Sequence, residues 1–211
     1  MHDWSHLFKI AVGLLAIVNP IGGVPLFISA TSGWPARERS KTARTVAVTV
    51  FAVLVTTLFL GNRILDFFGI STSSFLVGGG ILVLLLAVSM LQARESPIRQ
   101  TPEEAREASG KEAVGVVPLG IPLLAGPGAI SSVIIAARHA HGKVAELFLL
   151  VIPISLISIV VWATFLLSLP IANRLGTTGI NIVTRLMGLI LAAMAVEFIA
   201  RGIGELFPKL V

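Results

Sequence analysis

Apolar residues run in long blocks along most of this chain, and polar clusters are confined to the intervals between them. Six blocks stand out, at about Leu7–Ala30, Thr45–Leu60, Ser74–Leu91, Val114–Ala137, Ala145–Leu169 and Ile180–Ile203. About 20 apolar residues cross the hydrocarbon core of a bilayer as a helix, whose backbone groups pair internally and need no water. The pattern therefore predicts an all-α membrane protein with six transmembrane helices. The second block is short, and snorkelling of Arg44 or Asn62 would extend it. The one clearly polar stretch, from Ala93 to Glu112, reads as a tether with a short helix after Thr101. The chain then divides into residues 1–92, a cytoplasmic linker at 93–113 and residues 114–211, with three spans on either side.

Two blocks interrupt their own helical pattern. The first contains Asn19-Pro20-Ile21-Gly22-Gly23-Val24-Pro25, and the fourth contains Pro118, Gly120, Pro122, Gly126, Pro127 and Gly128. Proline removes a backbone donor and crowds the preceding turn, and glycine admits the conformations that unwinding requires. Such a density of both predicts broken helices. Broken backbone survives at membrane depth where it is enclosed by protein or lines a cavity. Half-helix N-termini present N–H groups suited to a carboxylate, and C-termini present carbonyls suited to an ammonium or a cation. A small zwitterionic solute carries both charges. Asn19, Pro20, Gly22 and Gly23 in the first break, with Gly126, Pro127 and Gly128 in the second, are the expected substrate-binding residues. Asn19 has a donor and an acceptor and would serve either end of the solute.

The halves also share landmarks. Pro20 and Pro127 are 107 positions apart, Asn62-Arg63 and Asn173-Arg174 are 111 apart, and Gly78 and Gly188 are 110 apart. Three spans per half is an odd number, so the second half enters the membrane from the opposite side. The expected fold is two inverted three-helix repeats with broken first helices, an architecture found in many secondary transporters.

Charge supplies the orientation. The first loop holds Arg37, Arg39, Lys41 and Arg44, the third holds Arg94, Arg99, Arg106 and Lys111, and Arg174 and Arg185 lie on the same side. The opposite side has Lys9, Arg63, Arg138, Lys143, Arg201 and Lys209. The excess of Lys and Arg places loops one, three and five in the cytoplasm and both termini outside. Met1-His2-Asp3-Trp4 lacks the basic region of a secretory signal, so the first helix is expected to be retained, with Trp4 as an interfacial anchor.

Composition narrows the chemistry. Apolar residues make up 55% of the chain and charged ones 13%, which excludes a soluble globular domain. Cysteine is absent, so no disulfide or thiolate metal site forms. No basic run is interleaved with aromatics, which argues against nucleic-acid binding. His139-Ala-His141 does not present both rings on one helical face, so no metal site is expected there. No nucleophile–base pair or phosphate loop is present, and the chain is not expected to be an enzyme.

Inside the blocks, ionisable groups are candidates for coupling or gating. Glu197 reads either as such a group or as an interfacial residue paired with Arg201, its i+4 neighbour. Arg185 either snorkels or faces the cavity and attracts a carboxylate. Thr56, Thr57, Ser89, Ser155, Ser158 and Thr164 are expected to bond to their own helices. Gly78-Gly79-Gly80 and Gly188 with Ala192 read as close-packing surfaces, which leave room for a homodimer without requiring one.

The segment Asn19 to Phe27 resembles the first-span motif of the MarC family of bacterial and archaeal inner-membrane proteins. Val117-Pro118-Leu119-Gly120-Ile121-Pro122-Leu123-Leu124-Ala125-Gly126-Pro127-Gly128-Ala129-Ile130 is similar to its fourth-span motif, and Thr184-Arg185-Leu186-Met187-Gly188-Leu189-Ile190-Leu191 to its sixth. The resemblance runs nearly end to end. It implies six spans, a multi-pass location in the inner membrane, and transport of small neutral amino acids such as glycine and alanine. Members often carry Gln where this chain has Glu197. The resulting expectation is a secondary transporter working by alternating access as its two halves rock, with no cofactor and with a proton or Na+ as the coupling ion. The alternative is a channel or exporter for another small solute.

Overall fold

The first apolar block folds as two helices because its middle cannot continue one. In the computed structural model, which describes residues 4–92, 119–139 and 144–208, α1 runs from Trp4 to Val18 and α2 from Val24 to Ala30. Asn19 stops α1 by entering the left-handed region at φ 44°. Pro20 has no N–H, so the Ala16 carbonyl loses its usual partner. Gly23 N–H closes the turn onto the carbonyls of Pro20 (3.1 Å) and Asn19 (3.3 Å).

The second block is longer than expected. Helix α3 spans Ala36–Phe67, 32 residues, rather than Thr45–Leu60. At 1.5 Å per residue it measures about 48 Å, well beyond a hydrocarbon core of about 30 Å. The polar start from Arg37 to Arg44 continues the helix ahead of the apolar part. Its end is a Schellman motif: Ile70 N–H donates to Leu65 O (2.9 Å) and Gly69 N–H to Asp66 O (3.1 Å), with Gly69 at φ 66°. Ser71 then caps α4, Thr72–Leu91, by accepting from Ser74 N–H at 3.1 Å.

The fourth block is also broken. Its Leu119–Leu124 segment contains an extended residue, Ile121 (φ −128°, ψ 130°), and Ala125 N–H reaches back to Gly120 O at 2.9 Å. Helix α5, Pro127–His139, follows with proline at its first position, where a missing N–H costs nothing. Helix α6 spans Val144–Leu166, and α7 spans Ser168–Leu206. Within α7, Gly176 at φ 60°, ψ −178° divides 168–175 from 177–206. The sixth block, expected to begin at Ile180, therefore has a bend and an earlier start. The linker at 93–113 and the side chains of Trp4 and His139, like all of His141, lie outside the described residues.

Four of these helices, α3, α4, α6 and α7, are each long and apolar enough to cross a membrane; α1 and α5 contribute shorter apolar stretches. Val48, Leu60, Ile81, Leu85, Ile159, Trp162 and Leu189 stand exposed on their outer faces. Water would not tolerate so apolar a surface, and lipid does. The chain is a multi-pass membrane protein.

The packing is layered. Helices α3 and α6 form one pair, and α4 and α7 form another. Between the pairs lie α1, α2 and α5, each touching both, with Leu119–Leu124 leaning on α3 and α1. The reciprocity is marked: α3 packs on α5 as α6 packs on α1, and α4 packs on α5 as α7 packs on α1 and α2. Helices from residues 4–91 thus pack chiefly on helices from 119–206.

Small residues make the α4–α7 pair close. A Cβ at Gly80 would lie 3.0 Å from Ala195 O, one at Gly188 3.1 Å from Ala87 O, and one at Gly202 2.8 Å from Ser73 O. Gly79 faces Ser131 instead, whereas Gly78 faces open space and packs on nothing.

Candidate functional site

The first break is built around Asn19. It is the one non-glycine residue with positive φ among the described residues, and it is 2% exposed. Asparagine tolerates this backbone because its side chain bonds locally. Here Gly22 N–H donates to Asn19 Oδ1 at 3.2 Å, turning away from its usual partner, the Val18 carbonyl. That bond fixes the amide's orientation. Asn19 Nδ2 is left enclosed, with no acceptor among the described residues.

Glycine is required beside it. A Cβ on Gly22 would collide with Asn19 Nδ2 and lie 3.0 Å from Thr184 Oγ1. A Cβ on Gly23 would lie 3.1 Å from the ring of Phe165, which stacks on Phe27 with centroids 4.6 Å apart. Pro20 is buried, as are Val24 and Phe27.

The second break meets the first. Gly128 is buried, and a Cβ there would lie 3.3 Å from Ile17 Cγ2 and 3.6 Å from Val83 Cγ2. The C-terminal end of α1 and the N-terminal end of α5 therefore sit side by side. One end concentrates carbonyls and the other N–H groups, so the dipole ends are opposed at one place. Gly126 and Pro127 are half-buried next to them.

The charged candidates lie elsewhere. Glu197 and Arg201 form an i,i+4 ion pair on α7, their side chains 58% and 56% exposed. Arg185 is exposed on the same helix. The structure brings neither Glu197 nor Arg185 to the breaks. Ser89, Ser155 and Ser158 bond to their own helix carbonyls as expected, whereas Thr56, Thr57 and Thr164, expected to do the same, make no such bond among the described residues. Thr184, one position before Arg185, is the side chain that the sequence reading passed over. Its hydroxyl makes no hydrogen bond among the described residues, and it borders the same space as Asn19 Nδ2. Among the described residues no cluster of three or more His, Asp or Glu is placed to hold a metal ion.

The model of the family described as MarC family integral membrane protein matches residues 4–207. The chain belongs to this family. It is 43% identical to UPF0056 membrane protein YhcE of Escherichia coli (strain K12) over 208 residues, covering 99% of this chain and 96% of that one. It is 36% identical to UPF0056 membrane protein YvbG of Bacillus subtilis (strain 168), covering 98% of each. It is 38% identical to UPF0056 membrane protein MJ1677 of Methanocaldococcus jannaschii, covering 95% of this chain and 97% of the relative. No solved structure matches this one. Bacterial and archaeal relatives thus match nearly the full length of the chain. The MarC motifs at both breaks fall within the matched region, as does Thr184.

Proposed function

We propose that this MarC protein is a secondary transporter of small neutral amino acids, with glycine and alanine as the model substrates. The observation that carries the proposal is the enclosed, unpaired donor of Asn19 at a helix break that packs against a second break. An unmade hydrogen bond at such a site costs about 1–3 kcal/mol, and a bound solute would recover it. Opposed helix ends suit a zwitterion.

The fold reading that accompanies this is six spans in two inverted three-span repeats. Gly69 and Gly176 both have positive φ and stand 107 positions apart, as Pro20 and Pro127 do. The reciprocal packing supports a two-fold relation between the halves. It also changes the motion to be proposed. Two halves that interdigitate cannot rock as separate bodies without undoing most of their contacts. Alternating access is assigned instead to the α3–α6 pair tilting against the α4–α7 pair, with the broken helices between them. The excess of Lys and Arg supports a cytoplasmic position for the start of α3.

Purified protein in proteoliposomes tests the function through counterflow of labelled alanine and glycine. Saturable flux that unlabelled substrate competes away is expected. Non-saturating flux would point to a channel, and absence of flux for every small zwitterion would remove the reading. Orientation is read in cells by labelling single cysteines at Ser32 and Ser71, in a chain that has no cysteine of its own. Labelling of the Ser32 position from outside would reverse it.

A further inference from the structure

The substrate-binding reading leaves open which end of the zwitterion sits at the first break, and the geometry there decides it. The Oδ1 of Asn19 is already engaged by Gly22 N–H. The Nδ2 edge of the amide can only donate, and Nδ2 is enclosed with no acceptor among the described residues. Thr184 Oγ1 borders the same space from α7. Thr184, like Thr56, Thr57 and Thr164, does not donate to a carbonyl of its own helix, and of these four it is the one beside Asn19 and Gly22. Its hydroxyl proton is thus available, next to two amide N–H donors. Among the described residues no acceptor lies within hydrogen-bond distance of Asn19 Nδ2. An ammonium group placed here would meet the Nδ2 donors head-on and could use only Thr184 Oγ1, whereas an anionic oxygen would accept from both side chains.

We infer that Asn19 and Thr184 together bind the carboxylate of the solute, with Thr184 as a substrate-binding residue contributed by the second half of the chain. The inference rests on the transport reading for its substrate but makes a separate demand: ligands must carry a carboxylate, and the Thr184 hydroxyl must matter. Gly22 keeps the space open, since any Cβ there would fill it. Thr184 lies beyond the bend at Gly176, on the α4–α7 pair, and Asn19 lies in the middle layer. A carboxylate bridging the two would draw these layers together, which ties occupancy to the proposed motion.

The test uses the full-length protein, with Thr184→Val to remove the hydroxyl at constant shape and Thr184→Ser to keep it. The probes are alanine, propionate (carboxylate without ammonium) and ethylamine (ammonium without carboxylate). Thermal unfolding in detergent reads binding, and proteoliposome counterflow reads transport. Alanine and propionate are expected to raise the wild-type unfolding temperature while ethylamine leaves it unchanged. Thr184→Val should raise the half-saturating alanine concentration about tenfold, the loss of one hydrogen bond to a charged group. Thr184→Ser should stay within about threefold, and the ligand-free unfolding temperature of both variants should match wild type. Stabilisation by ethylamine but not propionate would overturn the inference, as would wild-type affinity in Thr184→Val. Carboxylate-specific, Thr184-dependent stabilisation without any flux would remove the transport reading and leave the binding pair standing. Alanine flux indifferent to Thr184→Val would do the reverse.

Discussion

At Asn19 two costs coincide: a left-handed backbone on a non-glycine residue, and a buried pair of N–H groups without an acceptor. Each is on the order of 1–3 kcal/mol. A glycine would relieve both but would give up the bond from Gly22 N–H to Asn19 Oδ1, so the asparagine shapes the turn and leaves Nδ2 free to hold an oxygen. The sequence exposes this residue because proline and glycine crowd around it. Thr184 was not legible in the same way. A lone hydroxyl in an apolar span ordinarily bonds to its own helix, and the adjacent Arg185 is the more conspicuous group. Glu197 shows the opposite error of emphasis. Its charge draws attention, yet its side chain faces outward beside Arg201. An exposed i,i+4 pair contributes only about 0.3–0.5 kcal/mol. Glu197→Gln is therefore expected to change alanine counterflow less than twofold and to leave its pH profile unshifted. A displaced profile would return Glu197 to the coupling role.

Among the elements, hydropathy located the four helices long enough to cross a membrane and the two shorter apolar ones, but misjudged lengths where a helix outlasts its apolar part. The polar first turns of α3 are helical because Arg37, Glu38 and Lys41 are good helix formers, and a Lys41–Glu38 pair (3.1 Å) lies along them. The bend at Gly176 escaped notice because hydropathy assigns 170–179 to a loop, where a glycine is unremarkable, and only the backbone shows it dividing two helical segments. The glycines of α4 make the same point within one run of three. Gly80 meets backbone of α7 at contact distance, whereas Gly78 meets nothing. A methyl group at Gly80 must push the two helices apart, an overpacking cost of about 1–3 kcal/mol. At Gly78 it adds helix propensity, up to about 1 kcal/mol. Gly80→Ala should lower the unfolding temperature in detergent, and Gly78→Ala should leave it level or raise it. Equal losses at both positions would show that the α4–α7 contact is looser than the structure has it.

In the whole molecule, the two chain bends with positive-φ glycines occupy equivalent places. Gly69 joins α3 to α4, and Gly176 joins the 168–175 segment, which continues from α6, to the long part of α7. Each therefore connects one outer pair to the other, one connection in each half. If the pairs tilt against each other, these bends absorb the rotation, and open space around both glycines leaves them free to do so. Their backbones differ in what a side chain would suffer. Gly69 completes a Schellman turn in the left-handed helical region, which other residues enter at a cost of about 1–2 kcal/mol. Gly176, at ψ −178°, sits where essentially only glycine is found. Alanine at Gly176 must shift the backbone of the bend, and alanine at Gly69 need not. Gly176→Ala is thus expected to slow alanine counterflow severalfold more than Gly69→Ala. Binding measured by alanine-induced stabilisation should fall much less than flux in both, because neither glycine touches Asn19 or Thr184. A loss of binding in step with flux would place the defect in the site itself and would argue against tilting about these two bends.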